Sequence, residues 1–147
     1  MNWEMKSFAE LTAMEVYDML RERTQVFVVE QNCAYLEVDG YDLPACHLLG
    51  KENGQVVAYA RILPAGTRYT RASIGRVLVK QEYRGEGLAR ELMLQAMAFI
   101  RDVLQEETVK IQAQEYLRGF YESLGFGAIT DPYLDDGIPH IDMVCRL

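Results

Sequence analysis

The sequence predicts one α+β domain built on a mixed sheet with helices packed against it. Three observations carry that prediction. The chain has 147 residues, the length of a single domain that buries roughly 68–70% of its unfolded surface. Its hydrophobic period switches between 2 and 3.6 residues in the order strand, two helices, several strands, helix, strand, helix, two strands. No repeat, linker or low-complexity stretch interrupts that order, so residues 1–147 read as one domain.

Taken in order, residues 1–7 alternate as a first strand with Trp3 and Met5 on one face. Thr12 then opens a helical pattern, and Glu15 three residues on completes a capping box with it. Val16, Met19, Leu20, Thr24, Phe27 and Val28 recur at helical spacing as far as Gln31, as two helices or one broken helix. Residues 32–44 read as a loop, with Asp39-Gly40 as its turn. Residues 46–50 and 56–63 are strands joined by the hairpin signal Glu52-Asn53-Gly54-Gln55, and Pro64 stops the second.

A polar loop over residues 64–71 leads into a strand over 73–80. The helix from Leu88 runs to about Leu104 on the stripe Leu88, Leu92, Met93, Ala96, Phe99, Ile100 and Val103. Residues 108–114 alternate as a strand. Residues 116–124 are helical, with Leu117, Phe120, Tyr121 and Leu124 on one side and Gly125 beyond the last turn. Two closing strands, 126–130 and 138–146, flank the turn Asp135-Asp136-Gly137.

Composition narrows the function. The net charge is −7, which argues against nucleic acid as a partner. Residues 1–50 carry a net −6, residues 51–110 a net +3, and residues 111–147 a net −4. The middle can therefore receive an anionic cofactor, and the acidic ends favour a cationic substrate. No apolar run of about 18 residues exists, so no membrane span is expected. The N-terminus lacks the basic and apolar regions of a signal peptide, so the cytoplasm is the expected compartment. Cys33, Cys46 and Cys145 have no metal-site spacing and form no CxxC pair. They read as reduced thiols, with no metal expected.

The chemistry concentrates in residues 74–93, a β-branched strand, a turn with two glycines, and an amphipathic helix. Glycines at such a junction let the backbone approach a ligand, and the first N–H groups of the helix point at it. The positive end of the helix dipole makes this an anion site. A Walker loop is excluded, because no Gly-Lys-Ser/Thr follows. A dinucleotide loop needs a third glycine where Gly85-x-Gly87-x-x-Arg90 has arginine, and it needs repeated βαβ units. The third pattern, Arg/Gln-x-x-Gly-x-Gly/Ala, is met by Arg84-Gly85-Glu86-Gly87-Leu88-Ala89.

With that motif, and with Phe120-Tyr121-Glu122-x-x-Gly125-Phe126 about 31 residues later, the chain resembles the GNAT superfamily of N-acetyltransferases. It is closest to the ElaA-like branch, through residues 26–31, 39–47, 113–114 and 136–140 as well. The resemblance implies a mostly antiparallel sheet flanked by helices and splayed at the central strand. It implies acetyl-CoA as co-substrate. The backbone of Arg84, Gly85, Glu86, Gly87, Leu88 and Ala89 would cradle the pyrophosphate, and Arg84 could add a phosphate contact. The strand Val77, Leu78 and Val79 would bond the pantetheine arm, and Gln114 stands where many relatives carry asparagine. Homodimers are common among such proteins, so a homodimer is an allowed assembly.

The implied reaction is direct attack of a primary amine, on a small molecule or a peptide, at the thioester. Tyr121 is the expected acid for the departing thiolate. The Val77 N–H is the expected donor to the thioester oxygen. Many members carry a glutamate base on the central strand, where this chain has Arg76. Glu30 and His47 are the expected catalytic partners instead, with His140 or an ordered water as alternatives. Arg61 and Arg76 could hold an acceptor carboxylate or pair with Glu30, Asp39 or Asp42. The runner-up reading is a coenzyme A-binding regulatory or interaction protein that kept the fold without turnover.

Overall fold

The computed structural model describes residues 1–147. Chain order gives β1 (Asn2–Ser7), α1 (Ala13–Thr24), β2 (Cys46–Glu52), β3 (Gln55–Leu63), β4 (Ala72–Val79) and α2 (Leu88–Asp102). There follow β5 (Thr108–Gln114), α3 (Arg118–Glu122), β6 (Gly127–Ala128), β7 (Tyr133–Asp135) and β8 (Ile138–Arg146). All strands join one sheet in the order β1-β2-β3-β4-β5-β8-β6, with β7 paired to the start of β8. Every pairing is antiparallel except β4 with β5. No helix is long and apolar enough to cross a membrane.

The sheet is covered on both faces, and the period of two shows which residues face which helix. Leu48, Ala58 and Val79 pack with Leu92, Met93, Ala96 and Ile100 of α2. Their chain neighbours Leu49, Tyr59 and Leu78 pack with Met19 of α1 on the other face. Strand β3 is therefore buried on both sides, and it reads as an apolar run from Val56 to Ala60 before Arg61. The four α2 side chains are fully buried, and each of the larger ones contributes roughly 1.5–3 kcal/mol by leaving water.

Local chemistry sets the ends of these elements. Thr12 Oγ1 accepts the Glu15 N–H at 3.1 Å while Glu15 Oε1 accepts the Thr12 N–H at 2.8 Å, closing the expected box. After Thr24 the helix widens into a π turn over Gln25–Glu30, and the Cys33 N–H reaches back to the Val28 carbonyl at 3.1 Å. Gly50 has to be glycine, because a Cβ there would lie 2.6 Å from the Trp3 ring.

The expected closing strand 126–130 is shorter than read, and a strand that was not expected, Tyr133–Asp135, follows it. Gly127–Ala128 pair with β8, the chain leaves the sheet, and Tyr133–Asp135 pair with β8 again. The Ile129 N–H still donates to the Asp142 carbonyl at 2.9 Å, and Pro132, which has no N–H to give, lies in the unpaired stretch that follows.

Candidate functional site

Strands β4 and β5 pair only at Ala72 with Val109 and Ser73 with Lys110, and then diverge. The gap is a cleft of about 680 Å3 with Ile74 to Val79 on one wall and Ile111, Gln112 and Gln114 on the other. Arg76 sits at φ +52° where the pairing of β4 with β3 shifts register. The Lys80 N–H donates to the Val57 carbonyl at 2.7 Å. By the alternation of an antiparallel pair, Leu78 also turns its backbone toward β3, and Val77 and Val79 turn theirs toward the cleft. The central strand thus offers an open edge to an extended, amide-bearing ligand.

The glycine turn lies where that edge ends. Gly85 and Gly87 have φ values of +81° and +80°, which only glycine adopts freely. Gly87 is the N-cap of α2, and the first intrahelical bond runs from the Glu91 N–H to the Gly87 carbonyl. The amides of Leu88, Ala89 and Arg90 therefore lack intrahelical partners. A Cβ added at Gly85 or Gly87 would meet no protein atom within 4 Å, so the space before these amides is free for a ligand. Arg84 and Ala89 line the cleft, and Gly85, Glu86 and Gly87 form the exposed turn between them. An open strand edge running into unbonded helix amides fits a pantetheine arm followed by a pyrophosphate.

Arg84 does something the sequence did not reveal. Its Nε donates to the Val79 carbonyl at 2.8 Å, and its Nη2 lies 3.2 and 3.1 Å from the two Glu30 carboxylate oxygens. Glu30 lines the cleft on the π turn, but its carboxylate is held by this arginine.

Tyr121 lies in the same cleft at the end of β5, beside Gln114, Leu117 and Phe120. The rings of Phe120 and Phe126 meet it edge-on at 5.1 and 6.0 Å. It is 7% exposed, and burial, aided by Tyr116, pushes its phenol up to about 12. Its hydroxyl has no protein hydrogen-bond partner.

His47 stands elsewhere. It is fully buried in β2 and is not among the cleft-lining residues. Its Nδ1 lies 2.7 Å from the Tyr59 hydroxyl and its Nε2 lies 2.9 Å from the Asp42 carbonyl. A carbonyl only accepts, so Nε2 carries the proton and Nδ1 accepts from Tyr59. Neither nitrogen is left for a substrate, and burial lowers the pKa of the ring. The expected proton acceptor is thus a packed, doubly bonded core histidine.

Arg61 and Arg76 enter an ion network, the second of the two arrangements the sequence allowed. Arg61 bonds Asp39 and Asp42 at 2.8 to 3.1 Å, and Arg76 bonds Glu37 at 2.7 Å and Asp39 at 3.3 Å. The centre is Arg23, fully buried and bonded to Glu37 and Asp42. Burial pushes Asp39 up, but its bonds to Arg61 outweigh that and hold it at about 2. Three guanidinium groups meet three carboxylates, which is the condition for keeping such charges out of water. Neither Arg23 nor Glu37 was singled out from the sequence. The signal for Arg23 was its place on the Val16–Met19 stripe, where a cation requires a buried partner.

The far end of the cleft holds Cys33, Tyr35, Arg68, Tyr69, Asp135, Asp136 and His140. Asp135 accepts from Gln112 Nε2 at 2.9 Å, and neither Asp135 nor Asp136 has a salt bridge. His140 faces Gln114 in register across β5 and β8 and stacks on Tyr133.

Comparison with known proteins agrees with this geometry. The sequence profile described as "Acetyltransferase (GNAT) domain" matches residues 16–147. A UPF0039 protein of Schizosaccharomyces pombe is 46% identical over 144 residues, covering 97% of this chain and 95% of the relative. Protein ElaA of Escherichia coli is 41% identical over 143 residues, covering 96% and 94%. The crystal structure of Escherichia coli ElaA superposes with a TM-score of 0.92 over 99% of this chain and 100% of that one. An acyl-CoA N-acyltransferase from Pseudomonas aeruginosa superposes with a TM-score of 0.91 at 42% identity, over 99% and 100%.

Proposed function

The chain belongs to the GNAT acetyltransferase family, and on that basis we propose that it transfers an acetyl group from acetyl-CoA to a primary amine. The observation that carries the reading is the open backbone edge of β4 running into the unbonded amides of α2. That arrangement matches a ligand with amide groups at one end and a pyrophosphate at the other. The name of the Pseudomonas neighbour, acyl-CoA N-acyltransferase, points the same way.

In this reading the amides of Leu88 and Ala89 receive the pyrophosphate, and the Val77 and Val79 backbone aligns the pantetheine arm. The bracing of Val79 by Arg84 and Glu30 holds that edge in place. The amine nitrogen attacks the thioester carbon, and the developing oxyanion accepts the Val77 N–H. The carbon–sulfur bond then breaks, and the sulfur leaves as a thiolate. Tyr121 is the proton donor to it. A phenol raised to about 12 stays protonated at neutral pH, and its hydroxyl is not committed to any other group. Thiolate formed at the sulfur is a far stronger base than a thioester, so the proton moves only as the bond breaks.

The test is incubation of the protein with acetyl-CoA and a library of amines, following thiol release and acetylated product by mass spectrometry. Saturable turnover on one amine class is expected. Coenzyme A binding without thiol release from any amine would instead establish a binding protein of the same fold.

A further inference from the structure

We propose that His140 is the general base of the site and that its acceptor is a cationic amine, an inference that rests on the acetyltransferase reading above. The chain has only two histidines, and their hydrogen bonds sort them. His47 uses both ring nitrogens within the core. His140 uses one, with Nδ1 lying 2.7 Å from the carbonyl of Ile138. That oxygen can only accept, so Nδ1 carries the hydrogen and the neutral ring keeps its lone pair on Nε2. Stacking on Tyr133 at 6.3 Å between centroids holds the ring plane.

The ring belongs to the cleft wall that contains Tyr121, and it stands opposite Gln114 on the neighbouring strand. The unpartnered Tyr121 hydroxyl, in a side chain more than nine-tenths buried, marks the same cleft as a place where a ligand completes the bonding. Asp135 and Asp136 line this end without a cationic partner. The titratable and charged groups on this side of the cleft are Tyr133, which stacks on His140, then Asp135, Asp136, Cys33, Tyr35, Tyr116 and Tyr69, with Arg68 packed over the Tyr69 ring. Further along its own strand, Asp142 is paired with Lys110.

Two free carboxylates attract an ammonium group and also stabilise it in its charged, non-nucleophilic form. Such an acceptor needs a base, and His140 Nε2 is the free nitrogen acceptor of the cleft wall, beside the two carboxylates that would hold the ammonium. The balance is complete. The ammonium gives one proton to Nε2, and the neutral nitrogen forms the bond to the thioester carbon. The carbon–sulfur bond breaks with its electron pair on sulfur, and Tyr121 protonates the thiolate. The nitrogen of the new amide sheds its second proton, which restores Tyr121, and the imidazolium releases its proton to water.

Two measurements test the assignment. A long-range 1H–15N spectrum of the labelled, ligand-free protein at alkaline pH reads both tautomers. The expected result is one Nδ1–H ring, lost in His140→Asn, and one Nε2–H ring from His47. An Nε2–H tautomer at His140 would overturn the proposal without touching the acetyltransferase reading. In turnover, His140→Asn keeps a donor for the Ile138 carbonyl, so the fold is retained. It is expected to lower kcat about 100-fold, to leave coenzyme A affinity within twofold, and to remove the acidic limb of the pH–rate profile. Added imidazole should restore part of the rate in His140→Ala. Turnover of His140→Asn within threefold of the parent, or an unchanged acidic limb, overturns the role. A parent protein that acetylates no amine overturns the acetyltransferase reading and this role with it, whatever the tautomer spectrum shows. Preference for neutral over cationic acceptors would sink the second half of the proposal.

Discussion

Arg76 Nε donates to Glu37 Oε2 at 2.7 Å, so the left-handed residue of β4 is tied by its side chain to the loop that carries Tyr35 onto the cleft. The bond also packs Arg76 over the Tyr35 ring at 5.6 Å. The residue that breaks the regular pairing of the central strand is thus anchored by charge. Arg76→Ala and Arg76→Gly both remove that anchor and should each cost about 1.5–3 kcal/mol, the range for bonds to charged groups. Glycine should be milder by about 1 kcal/mol, because alanine keeps a Cβ at positive φ. Urea denaturation of the two variants measures the difference. Equal stabilities would show that the backbone at this position carries no strain.

Tyr121→Phe separates chemistry from binding. The hydroxyl bonds nothing in the protein, so its removal leaves no buried partner unsatisfied and should shift stability by less than about 0.5 kcal/mol. If it protonates the thiolate, kcat should fall at least about 10-fold while coenzyme A affinity holds. Stopped-flow turnover with calorimetric binding checks both, and unchanged kcat would remove Tyr121 from the reaction.

Gly87→Val fills the space in front of the α2 amides. The side chain meets no protein atom as far as its Cβ, so any loss of coenzyme A affinity reports on a ligand there. An affinity loss above about 10-fold is expected, equivalent to about 1.4 kcal/mol. Positive φ alone will cost about 1–2 kcal/mol of stability. Gly87→Asn, which tolerates that φ better, should recover part of the stability and little of the binding. Parent-like affinity in the valine variant would place the pyrophosphate elsewhere.

Stability should fall with acid in two steps. Burial lowers the pKa of His47, so the unfolded chain takes up a proton that the folded one refuses. Stability therefore declines as pH drops below the unfolded histidine value of about 6.5. Asp39 has the opposite charge logic with the same direction in pH. Its folded value of about 2 lies below the unfolded value, so its contribution is present above about pH 4 and is lost as pH falls towards 2. That contribution is about 2 kcal/mol. Urea midpoints between pH 8 and pH 2 would show both slopes, and His47→Gln should flatten the first. A flat profile through the first window would contradict the buried neutral ring.

Reading along the chain recovered most elements, because their signals are local. The Thr12 capping box, the Asn53-Gly54 hairpin turn and the α2 stripe each lie within a few residues. The Tyr133–Asp135 strand after Pro132 was missed, since so short a segment shows no period of two. The strand, glycine turn and helix proposed to hold the cofactor could be read for the same reason as the elements, being contiguous. The wall proposed for the acceptor draws Tyr35, Gln112 and the Asp135–His140 hairpin from three separate pieces of chain.

The order of residues was enough to specify the class of fold, the family resemblance, and the glycine turn that opens α2, since backbone geometry there follows from glycine placement and helix ends. Residue order also offered two histidines and a glutamate as candidate bases, and two strand arginines as carboxylate binders or ion-pair partners. Folding distinguished them. His47 received two partners and was enclosed, His140 received one and kept a lone pair, and Glu30 was matched to Arg84. Three acids of the first third, Glu37, Asp39 and Asp42, were matched by Arg23, Arg61 and Arg76. A side chain's chemical role depends on which of its hydrogen-bonding sites the rest of the chain leaves free, and that accounting closes only in three dimensions.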